Sequence, residues 1–285
     1  MRYRFLRFPG GRPKAFTLSY DDGCPQDIRF SEILNSYGVK CTFNLNGDAM
    51  RGSKALTKEQ VEEHFLSKGH EIAVHGSNHR APGVIRAIEG IRDVLDCRIE
   101  LEQRYGMIIR GMAYPDSGVT KFSNGADYAT VKNYLTELDI AYSRTLGGDN
   151  DGFELPCDWY AWMPTAHHNN QKIDEYIDKF LALDFSEKSY SAARRPRLFY
   201  LWGHSYEFDR NDNWDRIEHI CKRLSGKEDI WYATNIEIYD YVTAYNSLRF
   251  SADGHIIYNP TLLKIWFDVD GKHYSIESGE TLNIG

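Results

Sequence analysis

Phe16-Thr17-Leu18-Ser19-Tyr20-Asp21-Asp22-Gly23 is an apolar and aromatic run that stops on two adjacent carboxylates and a glycine. Such a run reads as a buried strand over residues 15–19 that delivers polar side chains at its carboxyl end. The arrangement recurs along the chain. His75-Gly76-Ser77-Asn78-His79 follows the strand-like residues 71–74, Tyr114-Pro115-Asp116-Ser117-Gly118 follows 107–113, and Gly203-His204-Ser205-Tyr206 follows 198–202. Amphipathic stretches lie between: 28–37 closed by Gly38, 57–68 opened by a Thr57…Gln60 capping box, and 84–105 ended by Gly106. Further strands are predicted at 39–45, 140–145 and 230–233, and further helices at 128–138, 173–183, 214–224 and 236–245. Repeated β-then-α units predict parallel strands joined by crossover helices, in an α/β barrel or a doubly wound sheet. In that architecture the carboxyl ends of the strands build the active site, so the four polar clusters are expected to converge on one mouth.

The chain has 285 residues, 42% hydrophobic and 14% aromatic, enough for one large globular domain with an appendage. Its 34 basic against 41 acidic residues give a net charge of −7, which disfavours nucleic acid or an anionic membrane as partner. No apolar run approaches the roughly 18 residues of a membrane helix, and the start of the chain lacks the apolar core of a secretory leader. The five cysteines are scattered without a CxxC, which argues against a disulfide framework. A cytoplasmic protein is expected. Residues 147–170 read as loop. Near Asn246 the pattern changes: Asp253-Gly254, Asn259-Pro260, Asp270-Gly271 and Ser278-Gly279 punctuate short segments. A catalytic unit over 1–245 and a small antiparallel β appendage over 246–285 are therefore predicted.

One helical turn between His75 and His79 puts two imidazoles on one face, able to grip a divalent ion. Two adjacent carboxylates after a buried strand repel unless one is neutralised, which a metal would do; the other is then free to act as a base. Two imidazoles and one carboxylate leave coordination positions open for water and substrate. His204, delivered by an apolar strand beside Gly203, suits a proton donor to a leaving group. Arg110, Asp116, Asp158, His167 and His168 carry weaker signals.

These residues resemble the polysaccharide deacetylases, the NodB-homology group or carbohydrate esterase family four. Thr17–Gly23 is similar to the family's first motif and His75–His79 to its second, with Gly76 at a Ser/Thr position. Ala113–Gly118 is similar to the third motif and Leu201–His204 to the last. The resemblance implies a distorted (β/α)7-8 barrel and one divalent metal, most often zinc, with cobalt or nickel as alternatives. By the same resemblance Asp22, His75 and His79 would hold the metal, Asp21 would be the general base and His204 the general acid. A backbone N–H after Pro115 would help to stabilise the oxyanion. Tyr114, Pro115, Trp159 and Trp202 are the expected substrate contacts. Two departures stand out: Ala113 occupies the place of an arginine that pairs with the base, for which Arg110 is a candidate substitute, and Asp158-Trp159 only partly matches the family's fourth motif.

The leading expectation is hydrolysis of an acetyl group from an N- or O-acetylated sugar or oligosaccharide. Another small linear or cyclic amide is the alternative substrate, and a homo-oligomer is left open. A non-catalytic carbohydrate-binding protein on the same barrel is the alternative of a different class. A thiol enzyme built on Cys24 is disfavoured, because neighbouring carboxylates blunt a thiol.

Overall fold

In the computed structural model, which describes residues 3–47, 55–146, 149–186 and 194–285, a short strand β1 (Arg4–Arg7) precedes β2 (Lys14–Asp21). There follow α1 (Gln26–Ser36), β3 (Thr42–Leu45), α2 (Lys58–His64), β4 (Glu71–Val74), α3 (Ala87–Tyr105), β5 (Gly111–Ala113), α4 (Tyr128–Glu137) and β6 (Tyr142–Arg144). Next come β7 (Ala166–His167), α5 (Ile173–Leu181), β8 (Arg197–Gly203), α6 (Tyr206–Arg210), α7 (Trp214–Leu224), β9 (Ile230–Tyr232) and α8 (Asn235–Asn246). The strands form one curled parallel sheet in the order β6-β5-β4-β3-β2-β8-β7, an α/β half-barrel. β3 pairs only with the carboxyl end of β2, Ser19–Asp21, and β9 occupies the edge left open at Lys14–Phe16.

All eight residues of β2 are buried, and they alternate in character. Phe16, Leu18 and Tyr20 pack with Phe30 and Phe43 in the larger core, beneath the helices. Thr17, Ser19 and Asp21 point the other way, into a polar barrel interior. There Thr17 hydrogen-bonds Asn235, Ser19 accepts from Asn44, and the Glu71 carboxylate accepts from Thr42, Tyr142 and the Ile236 N–H.

The stretch expected to be loop over 147–170 does more than connect, although residues 147–148 lie outside the described residues. Trp162 bridges Arg144 in parallel fashion and β7 pairs with β8, so this segment spans the gap between β6 and β8. Its alternation is too short to register as a strand. The strand expected over 107–113 shrinks to Gly111–Ala113 because Met107 and Ile108 are exposed. The helix expected from 84 starts at Ala87, after a 3-10 turn at Pro82–Val84.

At the carboxyl end, β10 (Arg249–Phe250), β11 (Ile256–Tyr258) and β14 (Thr281–Asn283) form one antiparallel sheet. β12 (Ile265–Val269) and β13 (Lys272–Ile276) form another, whose third strand is β1. Residues 4–7, expected within the 1–245 unit, thus pair with residues 266–269. A second core of Leu6, Phe8, Tyr241 and Phe267 lies along this seam, with the buried Asp268 facing Arg7 and Arg194. No helix among the described residues is long and apolar enough to cross a membrane.

Candidate active site

β2 ends on Asp21, whose side chain continues the inward alternation, and the chain then turns sharply. Asp22 has φ 82° and Gly23 φ 64°, a left-handed pair that swings the second carboxylate to the rim. His79 (φ 52°) and Asp116 (φ 50°), which line one cleft with Asp22, share this uncommon conformation. Asp21, Asp22, His75, His79, Tyr114, Asp116, Trp202 and His204 all line that cleft, a cavity of about 170 Å³ at the carboxyl ends of the strands.

Asp22 Oδ1 lies 3.6 Å from His75 Nε2 and 3.4 Å from His79 Nε2. His75 is buried and donates its Nδ1–H to the Ala113 carbonyl at 2.9 Å, which leaves the Nε2 lone pair facing Asp22. Burial lowers its pKa against the pull of Asp21 and Asp22, so the ring is held as the neutral imidazole that ligation needs. The three donor atoms lie within 4.8 Å of one another, a set of two nitrogens and one oxygen that fits a divalent ion such as zinc. The loop carrying the histidines is tied to α3: Asp93 accepts from the Asn78 N–H at 2.6 Å and from its side chain at 3.0 Å. A Cβ at Gly76 would meet Asp93 Oδ2 at 2.3 Å, so the acidic residue fills the space that a Ser or Thr at 76 would need.

Asp21 is buried and held on both oxygens. Asn44 donates to Oδ1 at 2.8 Å, and the fully buried guanidinium of Arg144 donates to Oδ2 at 2.5 Å. Burial pushes this carboxyl up, but Arg144, His75, His204 and Asn44 outweigh it and hold the pKa below the usual value. Arg144 is therefore the cation beside the carboxylate, not Arg110, which pairs with Asp139 at 3.2 Å. Arg144 ends β6, as Asp21 ends β2; the same positional reasoning, applied to residues 140–145, would have found it. Asn44 and Asp93 carried no comparable signal, because they act from inside a strand and a helix.

His204 Nε2 stands 3.9 Å from both Asp21 and Asp22. Burial works against its charged form, but Glu207, Asp21 and Asp22 prevail and raise its pKa. Tyr114 lines the cleft while its hydroxyl donates to the Tyr160 carbonyl, and the buried Pro115 begins the turn closed by the Gly118 N–H. Trp202 also lines the cleft, with the Arg144 guanidinium 4.6 Å over its ring. Trp159 is not brought to the cleft: it packs on Trp162 at 4.8 Å and Tyr239 at 5.1 Å. Asp158 caps the turn at Tyr160 and pairs with Lys132 at 2.7 Å, a structural use of the Asp158-Trp159 pair. Cys24 has its thiol pushed up to about 12 by burial and Asp27, which leaves it unsuited to nucleophilic chemistry.

The model of the polysaccharide deacetylase family matches residues 9–133, a little under half of the chain. Residues 9–133 are similar to that family. That match takes in Asp21, Asp22, His75, His79 and the Tyr114-Pro115 pair. No curated protein matches the sequence. Among solved structures, the Streptococcus pyogenes deacetylase PplD, in complex with acetate, is 21% identical over 46% of this chain, with a TM-score of 0.40. The match spans 55% of that protein's own length. A Mycobacterium smegmatis protein assigned as a polysaccharide deacetylase is 15% identical, covering 86% of this chain and 96% of its own, with a TM-score of 0.58. The allantoinase PuuE is 13% identical, covering 82% and 91%, with a TM-score of 0.56. The last two share the fold of this chain.

Proposed function

We propose that this chain is a metal-dependent deacetylase that hydrolyses the acetyl group of an N- or O-acetylated sugar or oligosaccharide. One observation carries the reading: an Arg144-paired buried carboxylate, an Asp22–His75–His79 set and His204 face one another across a single cleft. The polysaccharide deacetylase match over residues 9–133 supports the same reaction class. A divalent ion held by Asp22, His75 and His79, most readily zinc, with cobalt or nickel as alternatives, would supply Lewis acidity at the carbonyl and lower the pKa of water.

The protein's own groups then divide the proton work. Asp21, kept ionised by Arg144, accepts a proton from the attacking water as its oxygen bonds to the acetyl carbon. A backbone N–H after Pro115 would meet the oxyanion. His204 gives its Nε2 proton to the departing nitrogen or oxygen as the bond to the acetyl carbon breaks, yielding acetate and a free amine or hydroxyl. Tyr114 and Trp202 would wall the acetyl group. The fold shared with PuuE and the small cavity favour a second substrate class on the same residues, a compact linear or cyclic amide.

The test begins with metal content per chain, for wild type and His79→Ala purified without added metal or chelator. About one equivalent in wild type and a loss in the variant are expected. Acetate release from N-acetylated chito-oligosaccharides should then fall about 10²–10⁴-fold in Asp21→Asn. A wild type that holds no metal even after reconstitution would defeat the hydrolase reading and favour the carbohydrate-binding one.

A further inference from the structure

Glu207 lies on α6, three residues after His204, with its carboxylate turned inward beside that ring. Its Oε2 is 3.0 Å from His167 Nε2, 3.2 Å from His168 Nε2 and 3.8 Å from His204 Nδ1. The other oxygen is 3.0 Å from Arg210. His168 is fully buried against Tyr20 and Phe208, and a Cβ at Gly203 would come within 2.0 Å of its ring. His168 Nε2, His204 Nδ1 and Glu207 Oε2 are each buried without an aligned hydrogen bond, so three polar atoms face one another across one small space. Buried polar atoms left unpaired are costly, which drives these toward mutual satisfaction.

Two arrangements would satisfy them: a cation ligated by the imidazoles and Glu207, or imidazole N–H groups donating to the carboxylate. The second nitrogen of each ring decides. A ligating histidine needs its lone pair on the ligating nitrogen and its proton on the other. His75 has that form. His167 has the reverse, because its Nδ1 accepts the Asn169 N–H at 3.1 Å and its proton therefore sits on Nε2, toward Glu207. His168 Nε2 faces the same carboxylate at 3.2 Å, an acceptor that favours the proton on Nε2 and leaves Nδ1, 3.1 Å from the Tyr20 hydroxyl, to accept from it.

We infer that Glu207, gripped by the Nε2–H groups of His167 and His168, is a positioning residue that holds the proton of His204 on Nδ1 and so turns Nε2 to the cleft. The inference rests on the proposed function only in giving His204 Nε2 a leaving group to protonate. With Nδ1–H held on Glu207, the acid is the imidazolium, protonated on both nitrogens between Glu207 and the Asp21 and Asp22 carboxylates; as the carbon–nitrogen bond breaks it gives its Nε2 proton to the departing nitrogen and is left as the neutral Nδ1–H ring. Gly203 and His168 then belong to the same device, since only a glycine admits the ring that supports Glu207.

The direct test is ¹⁵N NMR of the imidazoles in the full chain, with His204 assigned by His204→Ala. Wild type should show His204 protonated at Nδ1 in its neutral form. Glu207→Ala should move it toward the Nε2–H form, and Glu207→Gln, whose amide oxygen still accepts, should restore the wild-type spectrum. An unchanged His204 tautomer in Glu207→Ala overturns the inference, as does a second bound metal equivalent that Glu207→Ala removes. A companion measurement compares an N-acetyl amino sugar with an activated aryl acetate, whose leaving group needs no proton. Glu207→Ala should slow the amide at least about tenfold more than the ester; equal slowing of both marks a merely structural role and overturns the inference. A wild type that cleaves neither substrate defeats the proposed function, while the imidazole spectra still decide the role of Glu207.

Discussion

Asp21 is a carboxylate that burial alone would neutralise, and its ionised form, on which the proposed role as a base rests, depends on Arg144, a residue 123 positions away in the chain. Because its folded pKa lies below the ordinary value, the pair contributes stability that is present above the unfolded pKa of about 3.9 and is lost as pH falls through the folded value. Arg144→Met leaves the carboxylate buried with Asn44 but without its cation. It should cost about 3–5 kcal/mol in urea unfolding and move the acid limb of the acetate-release profile to higher pH. An unshifted limb would show that Arg144 does not set the protonation of Asp21. Adding Asp21→Asn to Arg144→Met should recover much of the lost stability, because the uncompensated charge is then gone. Asp21, Asp22, His75, His79 and His204 were legible because each ends a recognisable strand or sits within one helical turn of one that does. Asn44 and Asp93 were not, because a polar residue in the middle of an element announces its partner only once the elements are packed.

At the scale of elements, the loop after β4 takes its shape from α3 as much as from its own sequence. Gly76 has φ 80° and no room for a Cβ beside Asp93, so Gly76→Ser, the residue type the family resemblance implies there, should be destabilising here. A loss of about 1–3 kcal/mol and weaker metal retention are expected; a melting temperature equal to wild type would show that the loop is not strained. Two buried carboxyls tie elements together at other points. Asp27 on α1 accepts from Ser205 at 2.6 Å, and Glu71 on β4 holds Thr42, Tyr142 and the start of α8. Burial raises both to about 7, against hydrogen bonds that favour the charged form. A raised folded pKa means that the folded state keeps a proton the unfolded chain has lost. Their stabilisation is therefore full below the unfolded carboxyl pKa values near ~4 and fades as pH rises through 7. Thermal melts should accordingly show a melting temperature that falls between pH 5 and pH 8, with a shallower fall in Asp27→Asn. An identical slope in the variant would remove Asp27 from the account.

Across the whole molecule the two ends of the chain meet: β1 joins β12, and Asp268 faces Arg7 and Arg194 in the buried seam. Asp268→Leu deprives both guanidinium groups of that carboxylate and should lower the free energy of unfolding by about 3–5 kcal/mol. Denaturant unfolding followed by tryptophan fluorescence would read this, and a change under about 1 kcal/mol would mean that the apolar seam alone holds the ends together. The alternation of β-then-α units, the inward and outward faces of residues 15–21, and the placing of polar clusters at strand ends are local consequences of side-chain period. They were determined by the sequence itself. Tertiary structure decided which distant groups complete each cluster. Arg144 reaches Asp21 because β6 curls round to face β2 across the barrel, and Glu207 reaches His204 because a short helix, too brief to announce itself, folds the carboxylate back beneath the ring. Trp159 is carried away from the cleft into the second core for the same reason: periodicity specifies the face of an element, and only packing specifies what that face meets.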